Sequence, residues 1–177
     1  MPDAFVQMLH NWQNFYILTG TASATLVGLI FIAASLGAGL VTPETSASVH
    51  TWVTPTIIHF GSTLVIAVIF TIPTLTLTGL SLILGLGGLA GLAYVLLTIL
   101  RMWRETRDHA PLGHSDWFWY GLLPALSYLA MLGGGIGFLL QSETSFDVLA
   151  VGLIILMVLG VRNTWDLMLW IVQNRSE

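Results

Sequence analysis

The chain has 177 residues, of which 55% are hydrophobic and 8% charged, with a formal net charge of −4 and no cysteine. A soluble globular chain is about a quarter charged, and one of this length cannot hide so much apolar surface inside itself, so composition excludes a water-bathed fold. The acidic balance supplies no basic field for nucleic acid, and the lack of cysteine excludes disulfides, thiolate metal sites, iron–sulfur clusters and a cysteine nucleophile.

The expected fold is all-α, a polytopic transmembrane helical bundle of five spans forming a single domain over 1–177. The N-terminal stretch MPDAFVQMLHNWQNFY has no Lys or Arg before the first apolar run, unlike a secretory signal, so that run is expected to be a retained span. A crossing helix needs about 20 apolar residues. The first span is expected at about 15–40. Thr42–Pro43 reads as the start of a short interfacial helix, with Val49, Trp52 and Val53 on one face. The apolar block from Trp52 to Leu100 is too long for one crossing, and TIPTLTLTG, with Pro73 and Gly79, divides it into spans at about 55–72 and 77–102. Thr54–Pro55 reads as an N-cap followed by proline at the first helical position. The fourth span is expected at about 117–140, capped by Ser115 or Asp116. The fifth is expected at about 146–172, with Thr144 and Asp147 as a capping box.

Arg101, Arg104 and Arg107 lie between the third and fourth spans and Arg175 follows the fifth, whereas QSETSFD between the last two spans is purely acidic. The positive-inside rule then puts the N-terminus outside and the C-terminus in the cytoplasm. Trp52, Trp103, Trp117, Trp119 and Trp170 all fall near the inner interface on this orientation. The pairs Arg101–Glu105 and Arg104–Asp108 at i,i+4 extend the third helix beyond the membrane. His109, His114 and Asp116 match no specific metal spacing and read as a solvated loop.

Small residues recur at four-residue intervals: Gly20, Ala24 and Gly28 in the first span, Gly87 and Gly91 in the third, and Gly133 and Gly137 in the fourth. Such rows let helix backbones approach closely where lipid supplies no hydrophobic drive. They read either as packing within one subunit or as a homo-oligomer contact. Three glycines at 133–135 point to a local kink.

Ionisable residues inside a span are costly and mark functional sites. Arg162 and Asp166 stand one turn apart in the fifth span, with Asn163 between them. They read as a snorkelling arginine paired to its neighbour, or as a charged cluster facing a bundle interior or symmetric pore. His59 lies in the same leaflet, within reach of Asp166 or Asn163. It is either a neutral histidine on a backbone carbonyl or a protonation switch. The threonines and serine at 19, 21, 23 and 25 read as bonding back to their own helix. His10, His50 and His59 are not placed for bis-histidine haem ligation. No nucleotide loop, nucleophile elbow, zinc-protease motif or carboxylate dyad occurs. No cofactor, no metal and no enzymatic activity are expected.

The segment WQNFYILTGTASATLVGLIFIAASL, followed by HF at 59–60 and IP at 72–73, resembles a group of small bacterial polytopic membrane proteins. Trp12, Phe15, Gly20, Ala22, Ala24, Leu26, Gly28, Leu29, Phe31, Ala33, Ser35 and Leu36 carry the resemblance, which covers about the first 75 residues. Some members of that group are labelled modulators of an FtsH-type membrane-bound AAA protease. The resemblance implies a bacterial inner membrane and little about mechanism.

The function expected from the sequence is a homo-oligomeric pore or ion-conducting channel built around His59, Arg162, Asn163 and Asp166. The alternative is a non-enzymatic accessory protein that binds lipid or another membrane protein.

Overall fold

A computed structural model describes residues 3–37, 46–108 and 117–174, and every regular element among them is helical. The helices are α1 (Asp3–Gly37), α2 (Ser46–Phe70), α3 (Leu77–Asp108), α4 (Leu123–Leu139) and α5 (Thr144–Asn174), with a π-helical turn at Phe118–Leu122 leading into α4. Four of these segments are long and apolar enough to cross a membrane: Phe5–Gly37, Leu77–Leu100, Phe118–Leu139 and Thr144–Gln173. The fifth apolar stretch, Thr54–Phe70, is shorter. The 25-residue helix that contains it nevertheless reaches about 37 Å.

The distribution of side chains is that of a protein in lipid. Leu18, Leu86 and Leu140 are 69%, 67% and 76% exposed, while His59 and Asn163 are each 3% exposed. Apolar groups face out and polar groups face in. Outward burial therefore contributes little to holding the helices together, and close packing with internal hydrogen bonds must do so.

Across the bundle the helices lie in the order α1, α2, α5, α4, α3, with α5 also touching α1. Half of the apolar window of α5 is buried, against 22% for α3 at the flank. At one end Phe5 and Tyr16 of α1, Phe70 of α2, Phe138 of α4 and Phe146 of α5 pack into one aromatic core. Tyr16 stacks on Phe70 at 3.9 Å, and Phe138 meets Phe146 edge-on at 4.8 Å. The start of α1, the end of α2, the end of α4 and the start of α5 thus share an end. At the opposite end Ile30, Leu167 and Ile171 form a smaller cluster backed by Ile57 and Trp170.

The divided block is found as the sequence predicts, with turns between Phe70 and Leu77. Thr76 caps α3: its hydroxyl accepts the Gly79 N–H at 3.1 Å, satisfying one of the donors that a helix start leaves open. The extension of α3 beyond its apolar run is also found, reaching Asp108. Three local expectations are corrected. The first helix begins at Asp3 rather than near Phe15, because Phe5 and Trp12 have the aromatic core to pack against. Pro55 does not start a helix but lies inside α2. Among the described hydrogen bonds no Thr144–Asp147 capping box forms, and the Ser145 and Phe146 N–H groups donate instead to the carbonyls of Ser142 and Glu143. The glycine triplet lies inside α4, which is assigned as continuous helix through it. Thr42–Pro43, Ser115, Asp116, His109, His114 and Arg175 lie outside the described residues, as do the side chains of Val49, His50, Trp52, Val53, Arg101, Arg104, Glu105, Arg107 and Asp108.

Glycines set the tightest helix contacts. A Cβ on Gly88 would lie 2.9 Å from the Leu132 backbone nitrogen, and one on Gly135 would lie 3.0 Å from the Ser81 carbonyl oxygen. Gly87 faces Met131 and Gly91 faces the Tyr128 ring across the same α3–α4 contact, and Gly137 faces Ser145 of α5. In α1, Gly20 closes on Ala67 of α2, whereas Ala24 is exposed and Gly28 has nothing near it. Gly133 likewise opens on empty space. The first-span row is therefore half packed and half turned outward.

Candidate functional site

The polar residues gather at the end of the bundle away from the aromatic core, where α2, α3, α5 and the π turn converge. Two prolines shape this region. Pro55 interrupts α2 where its missing N–H leaves the Thr51 carbonyl without its regular donor. Pro124 follows the π turn, in which the Leu123 N–H reaches back to the Phe118 carbonyl. The wider turn relieves the clash a proline ring would make with a regular α-helix, and such turns often occur at functional positions. It also sets Trp119 and Tyr120 against α5.

Arg162 lies beneath these two rings. Its guanidinium carbon sits 4.2 Å from the Trp119 ring centroid and 5.8 Å from that of Tyr120. This geometry gives a cation–π attraction that strengthens away from water. Its Nη1 is buried without a hydrogen-bond partner. The expected Arg162–Asp166 ion pair is not among the contacts of the described residues. Asp166 instead accepts a hydrogen bond from the Tyr120 hydroxyl at 3.4 Å. Asn163, on the same turn, is buried.

His59 is held from α4 rather than α5. Its Nδ1 lies 3.4 Å from the Tyr128 hydroxyl, which is also 3.4 Å from the Ser62 hydroxyl. These distances are at the long end of hydrogen bonding. The His59 carbonyl accepts the Thr63 hydroxyl at 3.1 Å. A direct bond from His59 to Asp166 or Asn163 is absent among the described contacts.

A small cavity joins the two halves. His59, Tyr94, Thr98 and Tyr120 line it together with Pro55 and Pro124, and it has a volume of about 10 Å³. That is close to the minimum for one water molecule, and His59, Tyr94 and Tyr120 are lining residues able to hydrogen-bond to it, the Thr98 hydroxyl donating instead to the Tyr94 carbonyl at 3.0 Å. The site is thus a row of side chains reaching from Asp166 through Tyr120, the cavity and His59 to Tyr128 and Ser62.

Four of its members, Thr98 and three tyrosines, escape the sequence reading. Tyr94, Tyr120 and Tyr128 sit inside apolar runs. The available signal is that a phenol buried in such a run needs a partner for its hydroxyl. No family model, curated protein or solved structure matches the chain. The chemistry of these side chains carries the functional reading instead.

The remaining polar groups lie elsewhere. Thr19 and Thr25 of α1 bond back to carbonyls four residues earlier, as does Thr21. Ser23 departs from that expectation, because its hydroxyl is buried with no partner, as are those of Tyr16 and Ser81. Among the described residues no three His, Asp or Glu side chains gather in a way that would hold a metal ion.

Proposed function

We propose that the protein is an ion-conducting membrane protein of a bacterial inner membrane, and that each subunit carries its own polar path. The observation that carries this reading is the row of ionisable and hydroxylic side chains from Asp166 to Ser62, half-buried at its two ends and buried at His59 and Tyr128, arranged around a water-sized cavity. Such groups are expensive in a bilayer, and there they mark ion or proton pathways by default. Structural glue would need fewer of them.

A charged ring shared around an oligomer axis requires Arg162 to face a neighbouring copy. Its position under Trp119 favours a role inside the subunit, where Arg162 and Asp166 set the charge at the mouth of the path. The aromatic core at the far end is a hydrophobic constriction of the kind that gates by excluding water. Homo-oligomerisation remains part of the proposal, with the outward Ala24–Gly28 face of α1 as its contact. With the polar end toward the cytoplasm, Trp119 and Trp165 stand at the inner interface that indole rings prefer.

Flux of small ions from liposomes containing the purified protein tests this reading. Wild type is expected to release a trapped ion gradient, and Arg162→Ala to change the rate while the protein stays helical and folded. If wild type shows no flux of any ion, the conduction reading fails. The accessory reading then takes its place, with the open groove of about 300 Å³ between α1 and α2 as the surface to examine.

A further inference from the structure

The side chains of the polar row suit one ion above others. A metal cation or a halide needs several ligands arranged around it to replace its hydration shell. A cavity of about 10 Å³ leaves no room for a hydrated ion. What the row does offer is an alternation of groups that each give one proton and accept another.

We infer that the conducted ion is the proton, carried by a relay from Asp166 through Tyr120, a water in the cavity, His59 and Tyr128 to Ser62. This inference rests on the conduction reading above. Tyr120 donates to Asp166 Oδ2, and Ser62 and His59 Nδ1 both meet the Tyr128 hydroxyl oxygen. The cavity joins Tyr120 to His59, and Tyr94 and Thr98 are among the residues that complete its wall.

The transfer balances at each step. A proton arriving at Asp166 is held on its carboxylate. Tyr120 passes its own hydroxyl proton to the cavity water and takes the proton from Asp166. The water gives a proton to His59 Nε2, the ring nitrogen not engaged with Tyr128. The imidazolium releases its Nδ1 proton to the Tyr128 oxygen while the Tyr128 proton moves to Ser62, and the Ser62 proton leaves. One proton enters and one leaves, and no oxidant or co-reactant is required. Rotation of the hydroxyls and exchange of the histidine tautomer reset the row. The titratable and charged groups facing His59 are Tyr94 from α3, Tyr128 from α4 and Tyr120 from the π turn, with Asp166 and Arg162 of α5 behind Tyr120.

Beyond Ser62 the aromatic core closes the bundle. The relay therefore reaches about half-way and delivers its proton only when that core admits water.

The test uses full-length protein in liposomes, with a pH-sensitive dye inside and a potassium diffusion potential as the driving force. Potassium and chloride fluxes are followed in parallel. The inference predicts proton flux in wild type that is slowed in D2O. It also predicts loss of at least about tenfold, equivalent to about 1.4 kcal/mol in the barrier, in both His59→Phe and Tyr128→Phe. Tyr128→Phe removes one oxygen and keeps the ring against Gly91, so it preserves the α3–α4 packing even if His59→Phe does not fold. Potassium or chloride flux without proton flux would overturn the relay and leave ion conduction standing, as would proton flux unchanged in Tyr128→Phe. Absence of every flux would overturn both.

Discussion

Gly88→Ala and Gly135→Ala will each lower the stability of the detergent-solubilised protein, while Gly133→Ala will raise it slightly. The difference lies in what each new methyl group meets. At Gly88 it meets the Leu132 nitrogen at 2.9 Å and the Tyr128 carbonyl oxygen at 3.0 Å; at Gly135 it meets the Ser81 carbonyl oxygen at 3.0 Å and the Gly85 nitrogen at 3.1 Å. These are backbone atoms, so α3 and α4 must separate to admit it. Overpacking of this kind costs about 1–3 kcal/mol, and alanine's better helix propensity returns no more than about 1 kcal/mol. Gly133 has nothing within contact distance. Its substitution gains propensity and loses nothing. Thermal unfolding followed by circular dichroism separates the three variants, and equal midpoints for Gly88→Ala and Gly133→Ala would contradict the described α3–α4 contact.

Phe146→Ala will raise ion flux several-fold. Phe146 is fully buried and its ring lies 4.8 Å from that of Phe138, 5.5 Å from that of Phe5 and 6.0 Å from that of Trp12. It therefore occupies the middle of the aromatic core that we propose keeps water from the end of the polar row. Removing it costs stability as well, by about 3–5 kcal/mol on the scale of soluble cores. A control must separate loosening from opening. Leu149→Ala provides it, because Leu149 is equally buried on α5 but its side chain is not part of the ring stack. It should weaken the fold without raising flux. Equal leakage from both variants would show that the aromatic core is packing alone.

Much of the architecture is legible in the residues because lipid imposes simple demands. Length and hydropathy give the helices. Pro73 among threonines divides the long apolar block where the turns are found. Pro55 misleads for a physical reason: proline starts helices in water, whereas in a bundle the surrounding helices support a helix that runs through it. The glycine triplet gains its reason only from the packing. Its residues look excessive until Gly134 and Gly135 are seen buried against different neighbours, and a linear sequence does not reveal which face each residue takes. His59, Arg162 and Asp166 are legible as costly groups. Their partners are not, because the pairing depends on α4 lying beside α5 and on the register that the π turn gives Trp119 and Tyr120.

The central claim, that water reaches a polar path inside each bundle from the Asp166 end, is open to a direct measurement. The chain contains no cysteine, so single cysteines can be placed without background and treated with a membrane-impermeant thiol reagent from either side of a vesicle. The account predicts that Asp166→Cys, at the mouth of the path, reacts from the polar end of the bundle. It should not react from the opposite side, and Leu97→Cys, which faces outward, should stay unlabelled from both. Failure of Asp166→Cys to react from the polar end in folded protein, or its equal reaction from both sides, would contradict it.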